Sequence, residues 1–317
     1  MQKEKLMNKI SLIVPCYNEE TNIKPFYNEI LKLFNDSDKN QLDDADFELY
    51  FVNDGSKDNT LSEIIELHKK DSRVKCISFS RNFGKEAALF AGIRNVTGDC
   101  TVLLDADLQH PPFVLVEMYK KWKEGYEVVE GVKSDRGKET FLHKIFTKVF
   151  YGIISKAVGM NMKNSSDYKL LDKKVVTELA ALKERNTFFR ALSFWVGFKT
   201  ATVWYEVAER KNGTTKWSTK SLIKYAINNV ICFSYAPLHI ITVIGVVFTI
   251  IGLVFAFDAI VSFFSGKAAS GYPTLICIIL IGFGGVMVCL GIIGVYIAQI
   301  YDEVKGRPQY IIGEKIE

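Results

Sequence analysis

Asp105-Ala106-Asp107-Leu108-Gln109 closes an apolar run, CTVLLD (100–105), and spaces two carboxylates and an amide at every second residue. On a strand, that spacing sends the three side chains to one side. Hard oxygen ligands of this kind suit Mg²⁺ or Mn²⁺, which keep waters and share phosphate oxygens with a substrate. A lone Asp-x-Asp also fits a solvated strand end. Two further clusters favour the metal reading. Val52-Asn53-Asp54-Gly55-Ser56-Lys57-Asp58 reads as a turn and helix cap, or as a strand tip where Asp54 accepts a hydrogen bond from a nucleobase. Ser80-Arg81-Asn82-Phe83-Gly84-Lys85 places two cations and a glycine where a loop can meet a sugar or a diphosphate; a plain surface turn is the alternative.

These clusters need a scaffold that gathers them. ISLIVP (10–15), ELYFVN (48–53), VKCISF (74–79) and CTVLLD (100–105) are short runs rich in β-formers, and 19–35, 58–70 and 85–96 between them have helical spacing. Such alternation predicts a parallel sheet covered by helices, with ligands at the carboxyl ends of the strands. Tyr17-Asn18-Glu19, Asp54-Gly55-Ser56 and Asp105 to Gln109 all fall there.

The chain has 317 residues, with 40 Lys+Arg against 36 Asp+Glu and a net charge of +4, too mild for a dedicated nucleic-acid binder. Residues 225–257 and 268–301 contain no charged side chain, and each run exceeds the ~20 apolar residues of a membrane-spanning helix. The six cysteines form no Cys-x-x-Cys pair and read as buried free thiols in a reducing compartment. MQKEKLMNK is charged and lacks the apolar core of a signal peptide, so the N-terminal part is expected in the cytoplasm.

Residues 140–157 carry an apolar stripe with lysines at 144, 148 and 156, fit to pack on the sheet or to touch lipid. Residues 218–236 read as a juxtamembrane helix, with Leu222, Ile223, Ala226, Ile227, Val230 and Phe233 on one face and Lys220, Lys224 and Asn228 on the other. The expected organisation is a domain over 1–217, this interfacial helix, membrane helices at 237–264 and 272–300, and a cytoplasmic tail at 301–317. Asp258 falls at the far interface. Arg210, Lys211, Lys216, Lys220 and Lys224 precede the hairpin and Lys305 and Arg307 follow it, against Lys267 alone in the link. The positive-inside rule then places both termini in the cytoplasm of a multi-pass protein of the inner or plasma membrane. Gly282, Gly284, Gly285, Gly291 and Gly294 suggest close helix packing and a homo-oligomer.

VPCYNEE (14–20), VNDGSKDNT (52–60), SRNFGKEAAL (80–89), DADLQHPP (105–112), SDYKLLDKKV (166–175), the paired apolar runs and EVKGRPQY (303–310) occur in this order. Together they resemble the polyisoprenyl-phosphate glycosyltransferases of glycosyltransferase family 2, relatives of dolichyl-phosphate mannose synthase. The resemblance implies a GT-A α/β nucleotide-binding domain followed by interfacial and membrane helices. It also implies inverting transfer of one sugar, from a donor such as UDP-glucose or UDP-N-acetylglucosamine, to undecaprenyl phosphate on the cytoplasmic face.

Carried over by position, Asp105, Asp107 and Gln109 match the metal site for Mg²⁺ or Mn²⁺, Asp107 and Gln109 as the direct ligands. Pro15, Tyr17, Glu19 and Asp54 match the nucleoside pocket, and Arg81, Asn82 and Lys85 fall in the loop over the donor. Lys133 and Arg136 match residues that meet the acceptor phosphate. Asp167 matches a residue proposed as base, and Arg210 and Lys216 match cations for the donor diphosphate or the acceptor. One position departs: the family usually has two acids before Gly-Ser, and Asn53 stands in place of the first. It either buttresses the pocket or alters donor choice.

A phosphate monoester with a second pKa of about 6 is largely dianionic at neutral pH. Its oxygen is already a nucleophile, so Asp167 serves as base or instead orients the sugar or a cation. A processive polysaccharide synthase shares the fold, but such enzymes carry more spans and a Gln-x-x-Arg-Trp motif absent here. A membrane-tethered scaffold on an inactive transferase fold is the non-enzymatic alternative.

Overall fold

The computed structural model describes residues 7–35, 42, 44–134, 152, 155, 165–185, 188–206, 236–265 and 271–317. The chain divides into two compact units, one of Met1–Thr219 with Pro308–Glu317 and one of Lys220–Arg307.

In the first unit, β1 (Asn8–Cys16), β2 (Ala45–Asn53), β3 (Val74–Phe79) and β4 (Cys100–Leu103) are apolar along most of their length and buried on both faces, as parallel strands covered on both sides are. Helix α1 (Glu20–Asn35) buries Ile23, Phe26, Tyr27 and Ile30, one helical stripe. Helix α2 (Thr60–Lys70) buries Ile64 and Leu67. Helix α3 (Lys85–Ile93) is buried from Ala87 to Ile93 and built largely of small residues. It runs so close to β1 that a Cβ on Gly92 would stand 2.4 Å from Ile13. Then follow α4 (Val114–Lys123), β5 (Val128–Lys133), β6 (Lys169–Asp172), α5 (Lys173–Ala181), α6 (Phe189–Trp195) and β7 (Thr200–Tyr205).

The sheet has the order β7-β5-β6-β4-β1-β2-β3-β8, where β8 is Ile312–Ile316. β1 runs parallel to β2 and β4, and β2 parallel to β3. β6 is antiparallel to both β4 and β5. Register aligns Cys16 with Asn53, Asn53 with Ser78 and Ile13 with Leu103. The loops after four strands therefore emerge along one edge, as expected from the alternation.

Two sequence expectations change. The run 100–105 supports a strand only to Leu103; Asp105 to Gln109 form a turn with Leu108 at φ +57°, so alternation on a strand does not order their side chains. The segment 301–317, expected as a tail, supplies β8, which pairs antiparallel with the far edge of β3.

The second unit contains α7 (Ala236–Phe264) and α8 (Tyr272–Val304). Pro237–Ser262 and Ile278–Val304 are long and apolar enough to cross a membrane, with mean hydropathies of 2.8 and 2.7. Thr242 and Thr249 donate their hydroxyls to carbonyls four residues back, which satisfies these two hydroxyl protons within the apolar helix. A Cβ on Gly285 would stand 3.7 Å from the Phe248 ring, whereas Gly282, Gly284, Gly291 and Gly294 face open space. The stripe over 140–157 and the juxtamembrane helix over 218–236 lie almost wholly outside the described residues.

Candidate active site

The loops after β1 and β2 are stitched side by side. The backbone N–H of Asn18 donates to Ser56 Oγ at 3.0 Å, that of Lys57 to Asn18 Oδ1 at 2.9 Å, and that of Glu19 to Thr60 Oγ1 at 2.9 Å. Asn18 takes φ +54°, which asparagine tolerates better than most residues. Pro15 is the penultimate residue of β1, Tyr17 is 40% exposed, and Glu19 accepts from the Asn22 amide.

Asp54 is buried, and its carboxylate accepts the N–H groups of Phe83 (2.6 Å) and Gly84 (2.9 Å). Burial raises its pKa, against the pull of those two donors. Asp54 thus ties the loop carrying Arg81 and Asn82 to the tip of β2. Gly55 permits the contact: at φ +63°, a Cβ there would stand 2.4 Å from the Arg81 carbonyl carbon. Arg81 and Asn82 are exposed, with the Arg81 guanidinium 4.2 Å from the Phe83 ring centroid.

Asn53, the departure from the family pattern, lies beneath this surface. Its amide donates to Ser78 Oγ at 2.9 Å and its oxygen accepts from the Ser56 N–H at 3.1 Å. The amide here donates to one partner and accepts from the other, so both of its polar ends are used. Asn53 buttresses the turn.

Lys85 opens α3 and bridges two carboxylates: its Nζ lies 2.6 Å from Asp105 Oδ1 and 3.2 Å from Asp167 Oδ2. Partial desolvation opposes its charge, but the two anions hold its pKa above the ordinary lysine value. Asp105 also meets His110 Nε2 at 3.3 Å, while His110 Nδ1 lies 2.7 Å from the Tyr205 hydroxyl. Despite burial, Lys85 and His110 hold Asp105 well below the usual carboxylate range. Asp167 is gripped by Arg190, Nε to Oδ1 at 2.6 Å and Nη2 to Oδ2 at 2.8 Å. Despite burial, Arg190 and Lys85 hold its pKa far down. An anion so held accepts protons poorly. Glu86, the next residue on α3, accepts the Phe189 N–H at 2.8 Å, and burial raises its pKa to about 7.

Asp105 is engaged by Lys85 and His110. Asp107 is exposed, and its Oδ1 accepts the Gln109 N–H at 3.1 Å. Among the described residues no three His, Cys, Asp or Glu side chains converge as a metal cluster. The donor set therefore fits a cation held by one carboxylate, Asp107, with the remaining ligands drawn from water and a diphosphate, a common arrangement for Mg²⁺. Among the described residues it forms no closed protein cage.

Lys133 ends β5; Arg136, Arg210 and Lys216 lie outside the described residues. Sequence reasoning missed Arg190, His110 and Glu86. His110 was in view within DADLQHPP, but Arg190 lies in NTFFRALSFW, where no motif marks it. Beneath Asp167, Lys169 is wholly buried and pairs with Glu130, its Nζ 4.4 Å from the Phe194 ring centroid. A cavity of about 420 Å³ is lined by Arg81, Asn82, Glu86, Arg185 and Gln309, among others.

Residues 11–179 match the family model described as Glycosyl transferase family 2. The chain is similar to the putative glycosyltransferase CsbB of Bacillus subtilis (strain 168), 39% identical over 307 residues that cover 96% of this chain and 91% of that one. It is similar to the bactoprenol glucosyl transferase of Shigella phage SfII, 37% identical over 306 residues, with coverages of 96% and 97%. Among solved structures, the mannosyltransferase PcManGT from Pyrobaculum calidifontis, in complex with GDP-Man and Mn²⁺, aligns over 90% of this chain and 87% of its own. That alignment has 16% identity and a TM-score of 0.43.

Proposed function

The chain belongs to glycosyltransferase family 2, and from that premise we propose that it transfers a single sugar, with inversion, from a nucleotide sugar to undecaprenyl phosphate at the cytoplasmic membrane face. The observation that carries the reading is the convergence at one sheet edge of the Arg81–Asn82 loop, the Lys85 bridge and the exposed Asp107. Relatives named bactoprenol glucosyl transferase across nearly the full chain supply the acceptor class, and they favour UDP-glucose over UDP-N-acetylglucosamine.

Tyr17, Pro15, Glu19 and the Asp54-anchored loop take the nucleoside. Asp107, with Gln109 beside it, holds Mg²⁺ or Mn²⁺. A divalent ion held there would supply positive charge against the departing diphosphate. Arg210 and Lys216 add positive charge there, and Lys133 and Arg136 position the acceptor phosphate. The acceptor is itself dianionic, so Asp167 serves as the anchor of Lys85 and Arg190 rather than as a base. Its pairing with both cations supports this role.

A polyprenyl chain loses about 0.8 kcal/mol for each CH₂ drawn out of lipid, so the enzyme must come to the bilayer. The hairpin of α7 and α8 and the basic segment 218–236 serve that end. The pairing of β8 with β3 supports two crossings that begin and end on one side, and the lysine and arginine bias makes that side cytoplasmic. Glycines of α8 that face open space support a homo-oligomer.

The test uses membranes containing wild type or Asp107→Ala, undecaprenyl phosphate, Mg²⁺ or Mn²⁺, and a panel of radiolabelled nucleotide sugars. The expected result is organic-extractable label from one donor that is lost in the variant. Label in insoluble polymer, or none from any donor, overturns the proposal.

A further inference from the structure

The segment EVKGRPQY (303–310) closes the second apolar helix and leads out of it, and has no part in the chemistry above. Its last three residues, Pro308, Gln309 and Tyr310, return to the catalytic unit. Tyr310 stacks on Phe79, with ring centroids 4.9 Å apart, and Ser80 N–H donates to the Ile311 carbonyl at 3.0 Å. Gln309 reaches further: its oxygen accepts from Arg94 Nη1 at 2.9 Å, and its Nε2 donates to the Glu184 carbonyl and, at 3.4 Å, to that of Arg185. Arg94 in turn donates to the carbonyls of Ala180 (3.5 Å) and Leu182 (3.0 Å).

These carbonyls belong to the end of α5 and the turn after it, where helical partners run out and buried acceptors need donors. The excursion they cap begins at Asp167, runs through β6 and α5, and returns with α6 to Arg190, which closes it on Asp167. Its far bend is held by Arg94, the residue that caps the end of α3, and by one amide from beyond the membrane hairpin. We infer that Gln309 is a positioning residue: by holding the 182–185 bend, it sets α6 so that Arg190 and Asp167 meet, and the transfer site is complete only when the segment after the hairpin is docked. This role rests on Asp167 belonging to the transfer site.

The test uses the full-length chain in lipid nanodiscs, as wild type, Gln309→Ala and Gln309→Glu. The glutamate keeps the Arg94 contact but sets a carboxylate against the two carbonyls. Both variants should show faster hydrogen exchange at Phe189–Trp195 and unchanged exchange in β1 and β2. Both should lose about five- to twentyfold in kcat with less than a twofold change in donor KM, since Gln309 bonds Arg94 and the Glu184 and Arg185 carbonyls rather than the Arg81–Asn82 loop with which it shares a cavity. Combined with Arg190→Lys, the losses should be less than multiplicative. Unchanged exchange at Phe189–Trp195, losses that fall on KM, or losses that multiply with Arg190→Lys overturn the inference. Absence of transfer by the wild type overturns the proposed function instead, and the exchange arm then decides the clamp by itself.

Discussion

Arg190 holds Asp167 as a planar fork, Nε on Oδ1 at 2.6 Å and Nη2 on Oδ2 at 2.8 Å, while Lys85 reaches the same carboxylate from α3. The carboxylate is thereby fixed in place and kept ionised. A lysine keeps the charge but not the two parallel bonds. Arg190→Lys is expected to lower kcat by about 10- to 100-fold, the equivalent of the roughly 1.5–3 kcal/mol in a charge-assisted hydrogen bond. Steady-state kinetics with the active donor checks this; an unchanged kcat shows that the fork is dispensable.

Asn53 donates to Ser78 and accepts from Ser56 below the donor surface. Asn53→Ala should cost about 1–3 kcal/mol of stability by stranding these partners, with donor KM within about twofold of wild type. Denaturant unfolding and kinetics read the two effects separately. A large rise in KM with stability unchanged would place Asn53 at the donor instead.

Lys169 and Glu130 form an ion pair with almost no exposure. Removing one partner leaves a buried charge, so Lys169→Met should destabilise by about 3–5 kcal/mol. The double variant Lys169→Met with Glu130→Leu should recover much of that loss. Thermal unfolding of the three variants tests it, and additive losses would contradict the pairing.

Glu86 keeps its proton up to about pH 7 in the folded chain, whereas an unfolded glutamate releases it near 4.5. Between those values the native state binds more protons, so the contribution of this group to stability falls as pH rises through the window. Asp105 and Asp167 act with the opposite sign: their depressed pKa values add stability above the ordinary carboxyl range that is lost as the pH falls below it. Glu86→Gln should flatten the loss between roughly pH 4.5 and 7. Unfolding midpoints across that range give the answer, and a slope equal to wild type would count against it.

The parallel core was legible because strands buried on both faces read as apolar runs, as ISLIVP and ELYFVN do. The clusters at their ends were legible because strand register, once parallel, puts those ends together. Arg190 was not, since its partner Asp167 lies 23 residues away and only tertiary folding of α5 and α6 joins them. The turn at Asp105–Gln109 was misread as strand because Leu104 continues the apolar run, although Leu104 still donates to the Ile13 carbonyl. β8 was hidden for a different reason: IGEKI is short and charged, and its pairing depends on an edge supplied by residues more than two hundred positions earlier.

The most direct measurement compares acceptors under the active donor: undecaprenyl phosphate, undecaprenol, and a short-chain water-soluble phosphate monoester, each analysed by mass spectrometry of the extracted product. A dianionic phosphate oxygen as nucleophile, presented from the bilayer, predicts one sugar added to undecaprenyl phosphate through a mild-acid-labile phosphodiester, no product on undecaprenol, and weak transfer to the soluble phosphate. Efficient glycosylation of undecaprenol, or several sugars added in succession, would contradict the account.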